Sequence, residues 1–172
     1  MVTILIKSII NRFIEKQLQF NQYDIDLPSL IQTLNEELLK SNTGKHATVF
    51  VATLDSSKNQ LNYINVAHFP QPILFNKGEV SMIPTQGLAI GLFEDAKYTQ
   101  KSVELSDDFE LTLFSDGLLE VIQDKSLSEK EDYLLELIGK EHNTISELAQ
   151  IFELEQVTDA PDDITLLQVI KG

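Results

Sequence analysis

Apolar residues recur three and four apart at the start of the chain and two apart through its middle. That change of period separates helical from stranded regions. Val2, Ile6, Ile9, Ile10 and Phe13, with Lys7, Asn11, Glu15 and Lys16 between them, predict a helix over the first twenty residues. Its apolar stripe is broad, so the helix is expected to be well buried, and no capping residue precedes it. A second helix is expected after the polar stretch from Asn21 to Asp26. Asp26 or Leu27 sits at the cap, Pro28 in the first turn, and Leu30, Ile31, Leu34, Leu38 and Leu39 on the core face. Ser41-Asn42-Thr43-Gly44 has the chemistry to end it.

From His46 to Phe114 the pattern is that of strands. Thr48–Leu54 and Leu61–Val66, joined by Asp55-Ser56-Ser57-Lys58-Asn59, predict a hairpin. Shorter strands are expected at Ile73–Phe75, Glu79–Ile83, Tyr98–Leu105 and Glu110–Phe114, with a turn at Gly78 and a loop Gly87-Leu88-Ala89-Ile90-Gly91-Leu92. Helical spacing returns after Asp116. Ser128 with Glu131, and Thr144 with Glu147, have capping-box spacing, and Gly139 is placed to end the first of these two helices. Ile151 and Phe152 join Leu148 on the apolar face of the second, and Ile164–Ile170 is a closing strand. Strands that run consecutively rather than alternating with helices favour an α+β fold, read as one domain over 1–172.

Composition narrows the function. With 42% hydrophobic and 23% charged residues the chain is globular. No apolar run approaches the ~18 residues of a membrane span, and the N-terminus lacks signal-peptide order, so a cytoplasmic protein without a membrane partner is expected. The absence of cysteine excludes disulfides, thiolate metal sites and a cysteine nucleophile. A net charge of −14 repels phosphate backbones and argues against nucleic acid as a partner.

Two acidic sites stand out by position. Ser115-Asp116-Gly117 follows the strand Leu111–Phe114, so Asp116 is expected at a sheet rim where the backbone can turn sharply. Asp159-Ala160-Pro161-Asp162-Asp163 precedes the last strand, and neighbouring carboxylates there repel unless they are solvated, hydrogen-bonded or bridged by a cation. If the two strand ends adjoin, Asp116 and Asp162 can share one Mg²⁺ or Mn²⁺ through oxygen ligands. An Asp-Gly pair is also a common turn and acidic strand starts are common in an acidic protein, so spacing alone leaves both readings open. His68 reads as a structural turn residue. His46 and His142 have no partner histidine at metal-ligand spacing. Ser115 lacks the Gly-x-Ser-x-Gly context of a nucleophile.

Six strings in order resemble the SpoIIE/RsbU-like branch of the PPM metal-dependent protein Ser/Thr phosphatases. Leu34-Asn35 resembles the "LN" of the family's second helix, and Thr48–Asp55 its first hairpin strand. Asn65-Val66-Ala67-His68-Phe69-Pro70-Gln71-Pro72 resembles its "NAGHxPP" turn. Gly87–Leu92 resembles its "GxPLG" loop, Phe114–Glu120 its "TDGLxE" and Asp162–Leu167 its "DDITLL". The resemblance implies an antiparallel β-sandwich flanked by helices, with two Mn²⁺ or Mg²⁺ ions in the complete family domain. It implies metal-dependent hydrolysis of phosphoserine or phosphothreonine on a regulatory protein in bacterial signalling, such as an anti-anti-sigma factor, downstream of a sensor or receiver domain. On that basis Asp116 and Asp162 match metal ligands, and Asp163 and Gly117 lie beside them. The family's upstream motifs "GGDxxD" and "DxxGHG" have no counterpart in this chain, Ala67 stands where the family favours glycine, and Ala89-Ile90 replaces Pro-Leu. The expectation is therefore the C-terminal part of the domain, without its N-terminal strands, with at most weak metal binding and little activity, and with free sheet edges that favour self-association such as a homodimer. The alternative is a non-catalytic module of the same fold that binds a regulatory partner, such as a sigma-factor adaptor.

Overall fold

The computed structural model describes residues 2–19, 24–141, 143–157 and 162–171. The chain is α+β, and both of its sheets are antiparallel. It divides into two compact units, Met1–His68 with Thr85–Glu104, and Phe69–Pro84 with Leu105–Gly172.

The first unit holds α1 (Val2–Gln19), α2 (Leu27–Lys40), β1 (Val49–Asp55), β2 (Gln60–Val66) and β5 (Lys101–Glu104), with the sheet in the order β1-β2-β5. α2 starts as its sequence requires. The Asp26 carboxylate accepts from the Ser29 backbone N–H at 3.1 Å and the Ser29 hydroxyl at 2.7 Å, and Pro28 occupies the first turn. Leu27, Leu30, Ile31, Leu34 and Leu38 form one buried face, packed with Ile9, Ile64, Val66, Ile90 and Tyr98. α1 departs from expectation. Among the described side chains of its stripe Ile9 is buried and Ile6, Ile10 and Phe13 are half-covered, while Ile4 and Leu18 are exposed at 74% and 51%. Within its own unit α1 has α2 as a helical neighbour on one side, which covers one line of side chains rather than a broad stripe.

The β1–β2 hairpin closes where the turn residues predict. Asp55 Oδ1 accepts from the Ser57 N–H, the Ser57 hydroxyl and the Lys58 N–H. The Ser57 hydroxyl first, then the Lys58 ammonium at 3.0 Å from Oδ2 and, less, the Lys58 N–H, lower the Asp55 pKa to about 2. A depressed carboxylate pKa supports folding above its unfolded value near 3.8, and the support is lost as pH falls towards 2. The Asp55 carboxyl carbon is accordingly expected to titrate with a midpoint near 2 by NMR, and Ser57→Ala to move that midpoint up. An unchanged midpoint in the variant would disprove the assignment.

The expected strand Tyr98–Leu105 is shorter in the structure, Lys101–Glu104. β5 pairs with Gln60–Tyr63 of β2, and continuing that register would set residue 99 against Asn65. That place is taken, because the Gln86 N–H donates to the Asn65 carbonyl at 2.7 Å. Tyr98 turns into the core instead.

The second unit holds β3 (Ile73–Asn76), β4 (Glu79–Met82), β6 (Glu110–Phe114), α3 (Gly117–Val121), α4 (Leu127–Glu141), α5 (Ile145–Ile151) and β7 (Leu166–Ile170), with the sheet in the order β4-β3-β6-β7. Phe114, Leu118, Leu134, Ile138 and Leu148 are its buried centre, with Phe152 set edge-on to Phe114 at 6.5 Å. The Thr144–Glu147 capping box forms as expected. The other box is displaced by two residues. Ser126, not Ser128, shares bonds with Glu129, because the same four-residue spacing occurs twice and the helix takes the earlier one, gaining half a turn. Gly139 does not end α4. It lies inside the helix, where a β-carbon would come within 2.8 Å of Val80 Cγ1, so its role is close packing on β4. Ile151 is exposed, while Leu148 and Phe152 are buried. The closing strand begins at Leu166 because Thr165 is held by Ser115 through a side chain as well as the backbone.

Candidate metal centre

β6 is buried along most of its length up to Phe114, fully covered at the strand's end. The next residue changes the geometry. The Ser115 N–H extends the β6–β7 ladder to the Thr165 carbonyl at 2.9 Å. Its hydroxyl donates to the Asp163 carbonyl at 2.9 Å and accepts from the Thr165 N–H at 2.8 Å. Ser115 is thus the clamp between the end of β6 and the approach to β7. Sequence reasoning rejected it as a nucleophile and missed this role. The available signal was a hydroxyl residue directly before Asp-Gly.

Asp116 opens α3 with helical backbone angles. Its carbonyl accepts from the Leu119 N–H at 2.9 Å, but its carboxylate makes no capping bond and is exposed. Gly117 follows, buried. A β-carbon there would lie 2.6 Å from the Asp163 carbonyl oxygen and 3.1 Å from the Asp162 carbonyl oxygen. The two backbones approach so closely that only glycine fits. Leu118 and Leu119 then anchor the turn in the core.

Asp162 and Asp163 are both exposed, and the Asp163 N–H donates to Asp162 Oδ1 at 2.8 Å. The fold therefore brings the Asp116 and Asp162–Asp163 segments side by side, with their carboxylates in solvent. Among the described residues no lysine, arginine or histidine forms an ion pair with any of the three. Carboxylates so placed are the chemistry that hard cations seek. The donor set is nonetheless small, since among the described residues no group of three His, Asp or Glu side chains is placed to hold an ion. Asp159 lies outside the described residues. Among the described residues, the set fits part of one ion's shell.

The remaining candidates sit elsewhere. The His68 N–H donates to Asn65 Oδ1 at 3.1 Å, which is a turn role, and Ala67 before it takes a φ of +54°, a conformation glycine adopts more readily. His46 is exposed and His142 lies outside the described residues. Asn35 proves more than a helix residue. Fully buried, it donates to the Phe93 carbonyl and accepts from the Gly91 N–H, pinning the loop that follows Gly87.

Known proteins resemble this chain in sequence and in fold. Protein IcfG of Synechocystis sp. is 25% identical over 131 residues, which are 73% of this chain and 21% of that protein. The chain spans about a fifth of the length of the curated relatives it matches. The SiaA-PP2C domain of Pseudomonas aeruginosa has the same fold with a TM-score of 0.71 at 19% identity, over 98% of this chain and 68% of that one. The manganese-presoaked phosphatase domain of the cell fate determinant SpoIIE from Bacillus subtilis does so with a TM-score of 0.59 at 18% identity, over 91% and 70%. The family described as Stage II sporulation protein E matches residues 1–170. Its matched length establishes that this chain belongs to the SpoIIE family, and its fold is shared with the two solved phosphatase domains.

Proposed function

We propose that the chain is the C-terminal part of a metal-dependent serine/threonine phosphatase domain acting on a phosphorylated regulatory protein in bacterial signalling, an anti-anti-sigma factor being the model substrate. Asp116 and Asp162 are its contribution to a Mn²⁺ or Mg²⁺ site, with Asp163 and Gly117 shaping the loop that carries them. The observation that carries this reading is the Ser115 clamp with the close approach at Gly117, at adjoining strand ends whose two carboxylates have no ion-pair partner among the described residues. The manganese-presoaked SpoIIE relative supports the choice of cation. A bound divalent ion in such a site lowers the pKa of its water and neutralises phosphoryl oxygens. This chain's residues supply two of the oxygen donors and the rigid backbone beneath them. The other donors belong to an upstream segment with the missing acidic motifs, preceded by a sensor or receiver domain in the cytoplasm. No helix among the described residues is long and apolar enough to cross a membrane.

Titration of Mn²⁺ into the 172-residue chain by calorimetry tests the site. Weak binding is expected, and Asp116→Asn should weaken it by about tenfold or more, since loss of a ligand costs at least as much as loss of a supporting residue. Binding that Asp116→Asn leaves unchanged would remove Asp116 from the site. Turnover of p-nitrophenyl phosphate by this chain alone should be slight, and robust Mn²⁺-dependent turnover would refute the two-donor account. The small donor set among the described residues also favours a second reading, a phosphatase-like module that grips a regulatory partner without hydrolysis. An upstream extension that carries the acidic motifs and still lacks activity would favour that module.

A further inference from the structure

α3 is five residues long, and a helix that short does not hold itself together. Asp116 stands at its head, and the Asp116 carboxylate makes no capping bond to it. The place of that carboxylate is therefore set by the backbone, through the bond from the Leu119 N–H to the Asp116 carbonyl at 2.9 Å. Ser115 fixes the start of the segment, and the buried Leu118 and Leu119 fill the core below it. The other end needs a partner from elsewhere. The last carbonyls of a helix have no donors within it, and the last turn of α3 has no basic residue of its own to meet them.

That donor comes from α4. Half-buried Lys130 reaches back eleven residues and donates from its ammonium to the Leu119 carbonyl at 2.5 Å. A lysine on the closing carbonyls of a helix supplies both a hydrogen bond and a charge that the helix dipole favours. The chain has 27 acidic residues against 13 Lys and Arg, yet Lys130 forms no ion pair among the described residues. It is committed to a backbone carbonyl although carboxylates are plentiful. Its own position is fixed in turn. The Lys130 N–H donates to the Ser126 carbonyl at 3.0 Å, and the Ser126–Glu129 box starts the helix directly before it. A continuous line of bonds thus runs from that box through Lys130 to Leu119 and on to Asp116. We propose that Lys130 is a positioning residue for Asp116, holding it through the backbone of α3 where a divalent cation takes its carboxylate; this rests on the cation site proposed above. Lys130 itself touches neither the ion nor a substrate.

Lys130→Met removes the ammonium and keeps the apolar stem, while Lys130→Arg keeps a donor. Methionine is a good helix former, so the first variant should fold, as circular dichroism would show. Mn²⁺ is titrated into the whole 172-residue chain by calorimetry. Lys130→Met should weaken binding about fivefold, less than the tenfold or more lost with a partner bonded directly to a ligand, because Lys130 acts through Leu119. Lys130→Arg should restore most of that affinity. A merely structural lysine would lower the urea midpoint and leave the Mn²⁺ affinity of the folded chain unchanged, and that result overturns the proposal. Hydrogen exchange on the metal-free chain needs no ion. There the Leu119 amide should exchange about tenfold faster in Lys130→Met, as expected when one charge-assisted bond is lost from a local opening, while Leu113 in β6 is unaffected. Exchange at Leu119 equal to wild type also overturns the proposal. Wild-type binding that Lys130→Met leaves intact sinks the positioning alone, whereas a wild-type chain that takes no Mn²⁺ sinks the cation site and the role of Lys130 with it.

Discussion

Gly117→Ala should destabilise the second unit by about 2 kcal/mol or more, although alanine is the better helix former by about 1 kcal/mol and Gly117 is a helical residue. Local propensity and tertiary packing predict opposite signs here, and magnitude decides between them. The added carbon would sit 2.6 Å from the Asp163 carbonyl oxygen and 3.0 Å from its carbon. Both are backbone atoms and cannot rotate aside, so the strand ends must separate. Separation stretches the three bonds that join Ser115 to Asp163 and Thr165, each worth about 1 kcal/mol. Urea unfolding followed by circular dichroism measures the loss, and Mn²⁺ titration should show weaker binding in the same variant. A variant as stable as the wild type, or more stable, would mean that the two backbones do not meet.

Asn35→Ala should cost the first unit about 3 kcal/mol, because it leaves two groups without partners at roughly 1–3 kcal/mol each. The side chain is fully buried, donating to the Phe93 carbonyl at 2.9 Å and accepting from the Gly91 N–H at 2.7 Å. Gly91 cannot move away to find water. Its φ is +87°, and its α-carbon lies so near the Lys45 carbonyl that a β-carbon would come within 2.7 Å of it. The loop would loosen, and with it the bridge in which Ala47 and Ile90 exchange N–H···O bonds. Hydrogen exchange should show these two amides losing protection in the variant while Leu113 in β6 keeps its own. Unchanged protection at Ala47 and Ile90 would show that the loop is held by something else.

Both variants probe contacts between segments far apart in sequence, and those contacts separate what was legible from what was not. Elements governed by near neighbours could be read directly. The caps at Asp26 and Thr144 and the hairpin turn at Asp55 depend on residues at most five apart. The family resemblance was legible for a related reason, since its strings lie at turns and strand ends where few residue types satisfy the backbone. The acidic pair could be named but not joined, because nothing in the spacing of Asp116 and Asp162 says that their strands adjoin.

The amino-acid sequence by itself determined the α+β order of elements, most of their limits, and the identity of the residues suited to a cation. Tertiary structure alone decided which strand ends meet, that Ser115 clamps them, that β5 stops at Lys101 because Gln86 holds Asn65, and that Gly139 packs against Val80 rather than ending a helix. The physical reason is range. Caps, turns and periodicity are settled by bonds within a turn or two of the chain. A backbone bond between residues fifty apart, or a glycine needed for a neighbour's carbonyl, exists only once the sheet has formed.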